Sequence, residues 1–116
     1  MAITEFGKTV RKARIDAGVT LASMANELNT TPSFLSALEM GRKKIPTDWV
    51  GKLESYFAGY GVTTRLAQLA DVANKSVPID GLSPAQQMLV AGFARVNLDD
   101  AEIEKFQRLL AVRRSQ

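Results

Sequence analysis

Apolar residues recur along this chain every three or four positions, and β-branched residues are scattered without the alternation of a strand, which predicts helices throughout. Phe6, Val10, Ala13 and Ala17 form one face of a first helix, with Thr4 placed to cap it and Gly18 to end it. Thr20 opens a second helix carrying Leu21, Met24, Ala25 and Leu28. The break at Asn29-Thr30-Thr31 follows, and asparagine tolerates the left-handed backbone that such a break needs. Thr31 then caps a third helix with Pro32 at its first position, where a missing N–H costs nothing. Leu35 and Leu38 face inward and Gly41 terminates it.

Beyond a basic loop, Pro46 and Thr47 open a fourth helix bearing Trp49, Val50, Leu53 and Phe57. A turn at Gly59-Tyr60-Gly61 leads to a fifth helix, expected from about Thr64 to Asn74, with Leu66, Leu69, Ala70 and Ala73 inside. Residues 75–81 read as a linker. The remainder reads as a helical hairpin. Ser83-Pro84-Ala85-Gln86 and Asp99-Asp100-Ala101-Glu102 are two capping boxes. Leu89, Phe93 and Val96 make the stripe of one helix, and Ile103, Phe106 and Leu110 that of the other. The expected organisation is all-α: a five-helix domain at 1–74, a linker at 75–81 and a hairpin at 82–116.

Charge sharpens this picture. The chain of 116 residues carries a net charge of +3. Residues 1–46 hold seven basic and four acidic side chains, whereas residues 47–116 hold eight of each, so the excess lies in the N-terminal part and favours an anionic partner there. Cysteine and histidine are both absent. Ser–His and Cys–His chemistry is therefore excluded, no zinc site is expected, and no cofactor is implied. The opening residues lack the order of a signal peptide and no apolar run approaches the roughly 20 residues of a membrane span, so a soluble cytoplasmic protein with no membrane partner is expected.

Two short helices joined by a tight turn can serve as a DNA-reading device, the first crossing the backbone and the second entering the major groove. Such a pair needs small or apolar residues where the helices cross, and Ala25 falls there, with Met24, Leu28, Leu35 and Leu38 around it. The stretch "GVTLASMANELNTTPSFLSALEMGRKKIP" resembles the helix-turn-helix of the lambda repressor and Cro-like family, also called the XRE family. Gly18, Thr20, Met24, Ala25, Leu28, Thr31, Leu35, Ser36, Leu38, Glu39, Gly41 and Pro46 match the family pattern in register, and the resemblance covers about residues 4–73. Two positions depart from it: Leu21 stands where the family has a glutamine that contacts the DNA backbone and buttresses the recognition helix, and Asn29 stands for the turn glycine. The resemblance also implies an ion pair between Arg14 and Glu39.

On this reading double-stranded DNA is the partner. The base-contacting residues are Pro32, Ser33, Phe34, Ser36 and Ala37, and the phosphate-contacting residues are Thr20, Thr31, Arg42, Lys43, Lys44 and Arg11. The third helix has no Arg, Gln or Asn on its outer face for a bidentate base contact, so serine hydroxyls, thymine-methyl contacts and DNA shape would share the reading. Each assignment has a plainer counterpart. Arg42, Lys43 and Lys44 fit a solvated loop, Arg11 a surface charge and Phe34 a core position; Trp49 and Phe57 fit the core best. The acidic residues Asp99, Asp100, Glu102 and Glu104 are better explained by a helix start than by a cation site.

The implied function is a sequence-specific transcriptional regulator of prophage or plasmid type. It would act as a repressor on a palindromic operator, as a homodimer joined through Leu89, Phe93, Val96, Ile103, Phe106 and Leu110, and could regulate its own gene. The alternative is the antitoxin of a toxin–antitoxin pair, with the same DNA-binding domain and a hairpin that holds a toxin protein. An adaptor that has lost DNA binding is a further reading, and an enzyme is disfavoured by the missing histidine and cysteine and by the lack of a phosphate loop.

Overall fold

A computed structural model describes residues 3–114. Those residues form seven helices: α1 (Glu5–Ala17), α2 (Leu21–Glu27), α3 (Pro32–Glu39), α4 (Thr47–Ala58), α5 (Ala67–Asn74), α6 (Pro84–Ala94) and α7 (Asp100–Arg114). No strand occurs among them, and no described helix is long and apolar enough to cross a membrane. The chain divides into two compact units at Pro78/Ile79, so the expected linker is split between them.

The first unit is built by caps and closures that the local sequence dictates. Thr4, Thr20 and Thr31 each accept a backbone N–H three residues on, which satisfies one orphan donor at the starts of α1, α2 and α3. The Ser23 hydroxyl oxygen accepts from the Thr20 N–H in return and completes a capping box. The same three helices end in a left-handed residue: Gly18 at φ 72°, Asn29 at φ 55° and Gly41 at φ 71°. After each, a backbone N–H reaches back over the last turn, from Val19 to Arg14, Thr30 to Ala25 and Arg42 to Ala37. Sharp stops keep the connections short, and α2 therefore packs on α3.

α1 packs against α3, α4 and α5. The core comprises Phe6, Val10, Ala13, Met24, Ala25, Leu35, Leu38, Ile45, Leu53, Phe57, Leu66 and Ala70. The fifth helix begins at Ala67 and not at Thr64 as its sequence suggested. Glu54 of α4 accepts the N–H of Leu66, the residue just before the helix, at 2.9 Å. Ile45 is buried in the loop after α3, although nothing in the helical pattern marked it. Asn74 clamps it, donating to its carbonyl at 3.0 Å and accepting its N–H at 2.8 Å.

α1 and the end of α3 approach closely at Gly7. Gly7 is buried there, and a Cβ on it would overlap the Glu39 carbonyl. That carbonyl accepts from both the Thr4 N–H (3.3 Å) and the Thr4 hydroxyl (3.1 Å). The Glu39 side chain is 3% exposed and accepts from Arg14 at 2.9 and 3.1 Å and from the Arg11 Nε at 3.1 Å. An acidic residue in the last turn of a helix opposes the helix dipole, and burial adds a desolvation cost. Two guanidinium groups offset both. Arg14 is itself mostly enclosed, and its Nε has no partner.

The second unit is simpler. Ser83 and Gln86 exchange capping bonds at the start of α6, and Asp99 and Glu102 do so at the start of α7. Glu104 pairs with Arg108 at 3.4 Å. Phe93 and Phe106 meet edge to face at 5.2 Å. No large side chain of α6 or α7 is fully buried among the described residues.

Two stability measurements check this packing. Gly7→Ala should cost about 1–3 kcal/mol, because the methyl meets backbone that cannot step aside. Gly51→Ala, on the open side of α4, should raise stability by about 0.5–1 kcal/mol, since its Cβ meets nothing. Equal melting temperatures for the two variants would rule out the close approach. Glu39→Ala strands Arg14 and should cost about 3 kcal/mol or more, a fall in Tm of roughly 10 °C or beyond for a domain of this size. Arg14→Met with Glu39→Leu should recover much of that loss, and thermal melts of the single and double variants decide it.

Candidate nucleic-acid interface

The outward side of α3 carries small residues, two of them serines. Thr31, Pro32 and Ser33 are exposed, and Ser36 and Ala37 are half-buried. Leu21, Pro32, Ser33, Ser36, Ala37 and Arg42 together line a shallow depression on this side. No acidic side chain lines it. Arg42 leans into it, its Nη2 donating to the Ser36 hydroxyl at 3.4 Å. Of the residues expected to contact bases, Pro32, Ser33, Ser36 and Ala37 are therefore brought together.

Phe34 lies apart from the depression. Its ring packs on Trp49 at 5.0 Å, and the Lys43 ammonium sits 5.5 Å from its centre. Trp49 carries a second ammonium, that of Lys52, at 4.7 Å. Both contacts suit the ring quadrupole, and Lys52 also approaches Asp48 at 3.5 Å. Phe34 and Trp49 thus form a half-buried bridge from α3 to α4.

The expected phosphate-contacting residues differ in how free they are. Lys43 and Lys44 are exposed, on a loop whose next residue, Ile45, is pinned by Asn74. The Thr20 and Thr31 hydroxyls each accept a capping N–H. A hydroxyl that accepts keeps its own O–H to donate, which is what a phosphate oxygen takes. Arg11, half exposed, shares the Glu39 carboxylate and reaches the Met40 sulfur at 3.7 Å, so it belongs to the buried cluster as well as to the surface. Its spacing from Arg14 marks one helix face, but nothing in that spacing shows that Glu39 serves both.

Away from this face, Glu27 at the end of α2 accepts from Tyr56 (3.1 Å) and Tyr60 (3.0 and 2.9 Å) and so ties α2 to α4. Burial, reinforced by the hydrogen bonds to Tyr60 and Glu27, raises the Tyr56 pKa above the usual phenol value. Among the described residues no group of three acidic side chains comes together to hold a metal ion. In the second unit, Leu89, Phe93, Val96, Ile103, Phe106 and Leu110 are all exposed.

Comparisons of this chain with protein-family models, with curated proteins and with solved structures give no match.

Proposed function

We propose that this chain is a sequence-specific DNA-binding transcriptional regulator with a lambda-repressor-like first unit. The observation that carries the reading is the outer side of α3. It is small, free of acidic groups and followed at once by Arg42, Lys43 and Lys44. α3 enters the major groove, and α2 crosses it from behind. The Glu39 cluster ties the end of α3 to α1, and the Asn74 clamp holds the loop that carries Lys43 and Lys44, which supports a phosphate-contacting role for these two lysines. A loop held in place loses less backbone freedom when its cations meet phosphate.

The protein acts as a homodimer on a two-fold symmetric operator and represses by blocking polymerase, and its own promoter is a candidate operator site. A hairpin cannot bury two apolar faces by itself. Leu89 is 72% exposed and Phe93 and Leu110 are 50% exposed, and a second copy of the hairpin would cover them. The same face would suit a toxin protein, which is the antitoxin reading.

An electrophoretic shift with the DNA upstream of the protein's own gene tests the main reading directly. Lys43→Ala should weaken binding to specific and random duplexes alike and make the log–log salt slope shallower by about 1; an unchanged slope rejects the phosphate contact. Ser33→Ala should cost about 1 kcal/mol on the operator and almost nothing on random DNA.

Leu89→Glu should leave each chain folded, because the residue is exposed in the single chain, yet should shift a dimer to monomers in sedimentation equilibrium. A wild-type protein already monomeric at micromolar concentration would transfer the hairpin face to a different protein partner.

A further inference from the structure

The depression beside α3 joins two chemistries that rarely meet on a bare helix face. Leu21, Pro32 and Ala37 give it apolar lining, and Arg42 gives it a guanidinium. Leu21 is half-buried and packs on the core, so its place is fixed. Arg42 is held twice. Its N–H donates to the Ala37 carbonyl at 3.0 Å in the closure of α3, and its Nη2 donates to the Ser36 hydroxyl at 3.4 Å. Ser36 lies three residues beyond Ser33, on the same side of the helix. A guanidinium bonded there hangs over the reading face, whereas Lys43 is drawn to Phe34. A guanidinium has five N–H donors, and no carboxylate lines the depression to take the others.

This pairing matches what the major groove displays. Thymine presents a methyl group there, and guanine presents N7 and O6, which accept two hydrogen bonds from one arginine. We propose, resting on the DNA-binding reading above, that the depression reads a thymine and a neighbouring guanine. The thymine methyl packs against Leu21, Pro32 and Ala37. Arg42 donates to guanine N7 and O6, and Ser36 is the positioning residue that aims it. Arg42 is then a base reader supplied by the loop to a helix that has no long polar side chain of its own. Positive charge on the depression and its flank, with no acidic group in its lining, favours a duplex over an apolar peptide as the occupant.

The test uses the full chain and a duplex selected by it from a randomised library, resynthesised with base analogues. Deoxyuridine in place of thymine removes only the methyl and should weaken wild-type binding about four-fold. 7-Deazaguanine removes only the N7 acceptor and should weaken it about ten-fold. Leu21→Gln should narrow the difference between thymine and deoxyuridine duplexes, and Arg42→Ala should no longer distinguish guanine from its 7-deaza form. Ser36→Ala should reduce the guanine preference without changing the thymine preference. Should a variant fold poorly, the two analogues with the wild-type chain decide alone. Wild-type indifference to both analogues overturns the proposal. So does an Arg42→Ala variant that loses affinity equally for selected and scrambled duplexes with a shallower salt slope, since Arg42 would then be a phosphate contact. A library that yields no preferred sequence while random duplexes still bind overturns base reading and leaves DNA binding standing. No binding to any duplex rejects the regulator reading itself, and this inference with it.

Discussion

The ordering of the first unit depends on one carboxylate. Glu39 ends α3, and it is tied to α1 through both its backbone and its side chain. The carbonyl takes Thr4 and the carboxylate takes Arg11 and Arg14, while Gly7 allows the two helices to come close enough for both. The position is unfavourable for an acid by itself, because it lies at the negative end of the helix and away from water. It is tolerable only with its partners in place. The end of α3 is therefore held to α1 by a mostly satisfied buried polar cluster, and such clusters favour one packing arrangement.

The same logic extends to the loop after α3. Gly41 turns the chain, Arg42 closes the helix, and Ile45 is buried and held by the Asn74 amide. Three cations lie on a segment pinned at both ends. Glu54 serves the start of α5 in the same way that Asn74 serves the loop. In each case a side chain distant in sequence satisfies backbone groups that burial would leave without partners.

The second unit contrasts with this. Its helix starts are fully capped, yet its apolar stripes remain open. Capping contributes on the order of 1 kcal/mol per helix end, whereas the apolar stripes can contribute only when something covers them. The Phe93–Phe106 contact joins the two helices but leaves each ring about half exposed. A homodimer or a heterologous partner would supply the missing surface.

Helix starts and stops were legible in the sequence because they depend on near neighbours. Thr4, Thr20, Thr31 and Ser83 reach N–H groups three residues away, and Gly18, Asn29 and Gly41 adopt backbone conformations that few other residues tolerate. The all-helical class and most of the core followed from the period of the apolar residues. What depended on long-range partners was not legible. Glu54 reaches the Leu66 N–H just before the fifth helix, and Asn74, 29 residues from Ile45 in sequence, lies beside it in space. Arg42 looked like one of three equivalent loop cations. Only the fold sets it against Ser36 and Leu21 while Lys43 lies over Phe34, because a side chain's direction depends on what the helices bring next to it, and the spacing of residues along the chain carries no record of that.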